Sequence, residues 1–152
     1  MHLEVQPHSI AVEFHDSLSV AEPSFGSVAL RYAIVTTRPK AIHVRTGRPL
    51  AEELEVASNL FARTAGLMFR SRLAAGSGMW IVPCEGVHML CMNFAIDAVF
   101  LDRQNRVKKV YPRLPAWWGV VWFVWGAHSV LELPAGSTQD LGLQRGDEIT
   151  IA

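Results

Sequence analysis

The 152-residue chain is 50% hydrophobic and 18% charged, a balance that supports one domain with a packed core and excludes disorder of the bulk. Lys plus Arg and Asp plus Glu each number 14, so the formal charge is zero, and without a basic field a nucleic-acid partner is not expected. No apolar run reaches the roughly 20 residues that span a bilayer, and the start Met-His-Leu-Glu-Val-Gln-Pro lacks the basic and apolar regions of a signal peptide, which predicts a cytoplasmic location.

Residues 1–37 sustain no period and are interrupted at Pro7, Pro23 and Gly26, the composition of a poorly ordered N-terminal arm; residues 27–36 have enough β character for an edge strand as the alternative. Residues 38–152 then form a single mainly β domain. Residues 41–44 read as a strand ending in a turn at Thr46-Gly47-Arg48-Pro49. Residues 50–57 fit either a helical face or strand alternation, and the preceding glycine turn favours the strand of a hairpin. Ser58 or Asn59 can cap a short helix over residues 60–65, Gly66 takes the left-handed position that ends it, and Leu67-Met68-Phe69 returns to the core.

Residues 79–82 and 87–94 look like two arms joined at Cys84-Glu85-Gly86. That pairing separates Cys84 from Cys91 by roughly 10 Å or more along the ladder, beyond bridging range, so no disulfide is expected. Asp102-Arg103-Gln104-Asn105 is a turn in which Asn105 accepts positive φ, residues 107–111 return as a strand, and Pro112 and Pro115 break the sheet. Residues 117–126 hold four of the five tryptophans. Residues 128–133 are another strand, Pro134-Ala135-Gly136 turns, residues 138–141 make one helical turn and residues 147–151 close the sheet. Many short strands with closely spaced turns predict a compact sandwich or partly closed barrel with one short helix.

Gly66-Leu67-Met68-Phe69-Arg70, then Met92, Ile96-Asp97 and Phe100-Leu101-Asp102, then Leu131-Glu132-Leu133-Pro134-Ala135-Gly136 and Gly146-Asp147 follow in the order and spacing of a known family. From about residue 41 onward the chain resembles the domain-of-unknown-function 192 family. The resemblance implies a jelly-roll-like, mostly β domain of bacterial and archaeal proteins, with no established activity and no mechanism to carry over. Ala95 stands where the family usually has proline, and His128 where arginine is common; the tryptophan-rich segment is more apolar than the family's loop.

The densest potential chemistry lies in residues 86–102. As a strand, it would put His88, Leu90, Met92 and Phe94 on one face and Met89 and Cys91 on the other. Cys84 at the turn, His88 and Met92 would offer thiolate, imidazole and thioether, soft ligands that suit copper(I), although Met and Cys are more often plain core residues. A catalytic alternative pairs Cys84 or Cys91 as nucleophile with His88 as base and Asp97 as its orienting group. Asp97 and Glu132 each interrupt an apolar strand, where a carboxylate must be paired or hydrogen-bonded. Arg63, Arg70 or backbone amides at strand crossings are the expected partners, Arg70 foremost. Trp118, Trp122 and Trp125 are candidates for a protein-partner or membrane-interface surface; the alternative is a lid of rings folded over one end of the barrel. The sequence therefore predicts a small soluble binding or interaction module. A soft-metal binding protein and an enzyme of unassigned reaction are the alternatives, and no cofactor is identified.

Overall fold

The computed structural model describes residues 38–59 and 66–152. In chain order the strands are β1 (Ala41–His43), β2 (Pro49–Ala51), β3 (Glu53–Ala57), β4 (Ser77–Ile81), β5 (Val87–His88), β6 (Ile96–Leu101), β7 (Val107–Leu114), β8 (Val120–Val121), β9 (Ser129–Pro134) and β10 (Ile149–Ile151), with a 3-10 turn at Gln139–Leu141. The expected N-terminal arm or edge strand and the helix over residues 60–65 lie outside the described residues. No helix among the described residues is long and apolar enough to cross a membrane.

Strands β6 and β9 are the centre. Their sequences Ile-Asp-Ala-Val-Phe-Leu and Ser-Val-Leu-Glu-Leu-Pro are apolar on both alternating faces, the pattern of strands covered on both sides. They pair antiparallel inside a five-stranded sheet of order β3-β4-β9-β6-β7, in which only β3 and β4 run parallel. On one face Met79, Ile81, Ala98, Phe100 and Val130 join Met89, Met92, Val121 and Val124 in a first core. On the other face Leu54, Val99, Leu101, Leu131 and Leu133 pack with Ala41, Leu50 and Ile149 of the small β10-β1-β2 sheet, forming a second core. The fold is mainly β, as the sequence predicts, and no sheet among the described residues closes into a barrel.

Three local expectations change. The stretch 50–57 divides at Glu52 into β2 and β3, which join different sheets; the Glu52 and Glu53 amides both donate to the Gly76 carbonyl at the break. Strand β7 runs through Pro112 because it is the sheet's edge, where a residue without an N–H leaves no ladder bond unmade. Residues 79–94 are not a hairpin: β4 lies between β3 and β9, whereas β5 pairs with β8 in a separate two-stranded ribbon. Beyond His88 the alternation stops. Met92 N–H donates to Met89 O in a turn, so Met89 and Met92 are both buried while Leu90 is 53% exposed, and Cys91 has φ 60°.

Candidate functional site

Asp97 is fully buried on the second-core face, and its carboxylate accepts four hydrogen bonds. Oδ1 receives the Arg113 and Gly136 amides at 2.9 Å each, and Oδ2 receives the Thr138 amide at 2.8 Å and its hydroxyl at 2.7 Å. Arg113 (φ 51°) and Gly136 (φ 93°) adopt left-handed conformations, so the backbone bends to present these donors. Burial pushes the Asp97 pKa up, but the Thr138 hydroxyl and the three amides outweigh it and hold the group below its ordinary value. Asp97 thus fastens β7 and the turn after β9 to the central sheet, by the backbone-amide route rather than through an arginine.

Glu132 is built into the same pair of strands and is treated in the opposite way. Register places Glu55, Met79, Glu132, Ala98 and Tyr111 in one row across the sheet, on the first-core face. The row puts Glu132 on a central strand, and it is only 6% exposed. Its Oε2 is buried without a hydrogen-bond partner among the described residues. Arg70, the expected partner, instead grips Glu55 at the sheet edge, Nη1 to Oε1 at 2.8 Å and Nη2 to Oε2 at 2.6 Å. Burial raises the Glu132 pKa to about 7, and the Arg70 charge offsets only part of that rise.

A cavity of about 70 Å³ opens at Glu132 and is lined also by Met68, Cys84, His88 and Met92. Gly66, at φ 44°, begins the segment that supplies Leu67 and Met68 to this wall. Leu67 is buried, but Phe69 turns outward and is 77% exposed, against the expectation of a core residue. The Cys84 thiol donates to the Gly86 carbonyl at 3.0 Å, and Cys84 and Cys91 are not bridged.

The structure therefore brings Cys84, His88, Met92 and Glu132 to one cavity and separates Asp97 and Cys91 from it. Asp97 faces the other core, so the arrangement of cysteine, His88 and Asp97 needed for nucleophilic catalysis is not assembled. No cluster of three or more His, Cys, Asp or Glu side chains suited to a metal occurs among the described residues; the copper-type set depends on the Met92 thioether.

Sequence reasoning missed Glu55 and the buried His43. Glu55 was legible only through the alternation Glu53, Glu55, Ala57 once β3 is set beside β4. His43 is fully buried, with Nε2 2.9 Å from Asp147 Oδ2 and Nδ1 3.0 Å from the Thr46 hydroxyl. Arg45 hydrogen-bonds the same Asp147, and with the Gln144 amide it holds that carboxyl well below the usual range. This cluster ties β1 to the turn before β10.

An apolar groove of about 530 Å³, lined by Leu90, Val120, Val121 and Trp122, shares the Gly86–Val87–His88 strand as a wall with the Glu132 cavity. The rings beside it are not a lid. Trp118, Trp122 and Trp125 are 87%, 88% and 84% exposed, Trp117 and Phe123 about half, and the intervening Val121 and Val124 are the residues that pack inward.

The family model described as "Uncharacterized ACR" matches residues 41–151. The chain belongs to the domain-of-unknown-function 192 family. Two solved structures share the fold of this family member. One is a protein of unknown function from Novosphingobium aromaticivorans, with TM-score 0.63 and 22% identity over 74% of this chain and 83% of that one. The other is a putative transcription regulator from Sinorhizobium meliloti, with TM-score 0.62 and 22% identity over 75% of this chain and 92% of that one. At such identity the likeness is one of fold. No curated protein matches the chain.

Proposed function

We propose that this family member is a small binding module whose recognition point is the Glu132 carboxyl. The observation that carries this reading is the buried, unpartnered Oε2 beside an open cavity. A carboxyl left in this state costs stability, and a ligand that donates a hydrogen bond or brings a positive charge repays that cost on binding. About 70 Å³ is the liquid volume of roughly two waters. It admits an ammonium or hydroxyl group, and the exposed His88 is one of the residues that line it. Above pH 7 the site is a carboxylate that selects a cation; below it, a neutral acid that can donate as well as accept. The two unbridged thiols suit a reducing, cytoplasmic compartment.

A thermal-shift screen of small amines and alcohols at pH 8, followed by calorimetric titration of the wild type and Glu132→Gln, tests the proposal. Binding by the wild type that Glu132→Gln weakens at least tenfold supports it; equal binding by both proteins refutes it. Copper(I) is the second reading, favoured by the convergence of Cys84, His88 and Met92 on the same cavity. Anaerobic copper(I) titration of Met92→Leu separates the two, because that change removes a metal donor and spares the carboxyl.

A further inference from the structure

We propose that residues 115–127, with Lys108 and Lys109 beside them, form a face that docks on an anionic lipid bilayer surface. The face is built for display. Trp117 N–H donates to Met89 O at 3.0 Å, Met89 N–H to Gly119 O at 2.8 Å, Gly119 N–H to Pro115 O at 2.9 Å and Val124 N–H to Glu85 O at 2.8 Å. Val121 and Val124 anchor the segment in the first core, and Trp118, Trp122 and Trp125 stand outward before, between and after these anchors. The backbone is already fixed, so the rings meet a surface without the cost of ordering a loop.

The charges say which surface. Residues 115–127 carry no Asp or Glu, and the cations placed beside them are Lys108 and Lys109, although the whole chain is neutral. Lys108 Nζ lies 3.3 Å from where a Cβ on Gly126 would stand, next to Trp125. Lys109 Nζ sits 5.1 Å above the Tyr111 ring, which packs on the same core as Val121 and Val124. Glu85 borders the loop through its backbone, its carbonyl accepting the Val124 N–H. Indole rings settle at the headgroup level with an apolar body inward and an N–H toward water, and flanking lysines add attraction to anionic headgroups. A protein partner would need a separate pocket for each of three rings that are more than four-fifths exposed; a bilayer receives each independently. The segment is too short to span, so the contact is peripheral. This inference does not depend on the reading of Glu132.

The test is co-sedimentation of the full chain with vesicles of phosphatidylcholine alone and of phosphatidylcholine mixed with phosphatidylglycerol. The expected result is binding to the mixed vesicles that weakens as salt rises. Trp122→Ser with Trp125→Ser should lower that binding at least tenfold with the melting temperature unchanged. Each lysine replaced among Lys108 and Lys109 should lower it roughly fivefold, the equivalent of about 1 kcal/mol. Absence of binding at low salt overturns the proposal, as does binding that the tryptophan replacements leave intact. Self-association that those replacements abolish, without vesicle binding, overturns it in favour of a second copy of the chain.

Discussion

Asp97 and Glu132 lie one ladder step apart on neighbouring strands and face opposite sides of one sheet, Asp97 standing opposite Leu133 and Glu132 opposite Ala98. One carboxyl is saturated by four donors, whereas the other keeps a buried oxygen without a partner among the described residues. The contrast in donors separates a structural carboxylate from one that a ligand can complete.

For Glu132 the folded pKa of about 7 lies above the ordinary carboxyl value. The folded state therefore holds the proton through a range where the unfolded chain has released it. Stability is full below about pH 4.5 and falls as pH rises toward 7, by on the order of 3 kcal/mol at most. Glu132→Gln, neutral at every pH, should flatten that slope and melt at a higher temperature than the wild type at pH 8, with little difference at pH 4.5. Chemical denaturation across this range checks both the slope and its loss.

Asp97 has the opposite sign. Its folded pKa is depressed, so its contribution is present above the ordinary carboxylate range and is lost as pH falls through the folded value. Asp97→Asn turns an amide toward donors that already point at it. It should cost roughly 3–5 kcal/mol at neutral pH, read as a lower urea midpoint.

Arg70 is a lever on the site rather than its partner. Arg70→Met removes the one charge that draws the Glu132 pKa down, so the stability transition of Glu132 should move to higher pH. The Glu55 pair itself is about a third exposed on both sides and should contribute about 1 kcal/mol or less. A shift of the transition with only a small change in total stability is the expected outcome.

Gly86 sits where the β5–β8 ribbon is tightest. A Cβ there would lie 2.5 Å from Trp122 O and 2.6 Å from Val121 O, both backbone atoms that cannot rotate away. Gly86→Ala should therefore destabilise by about 1–3 kcal/mol, and the Val87 and His88 amides should exchange hydrogen faster as the ribbon opens.

The sequence was most legible where turn chemistry is explicit. Gly47 and Asn105 take the positive φ their turns demand, as Gly66 does, and the apolar runs of β6 and β9 lie at the centre. It was misleading at 89–95, where alternating apolar residues imitate a strand but Met89 and Met92 are buried together by a turn. The Glu132 cavity was half legible: a carboxylate inside an apolar strand marks the residue. Its lack of a partner depends on non-local register, since Arg70 reaches Glu55 two places along the row. The sequence leaves Trp118, Trp122 and Trp125 open between a lid and an outward-facing surface; their exposure follows from the inward packing of Val121 and Val124, which composition alone does not reveal.

The order β3-β4-β9-β6-β7 also sets a schedule for biosynthesis. Strand β4 is made long before β9, the neighbour that closes its open edge, and β1 waits until β10 emerges before its outer edge is paired. A nascent chain halted between them carries unpaired strand edges and the apolar faces of both cores. The central sheet is thus completed only once β9 has been made, and until then the nascent chain presents those edges to its neighbours.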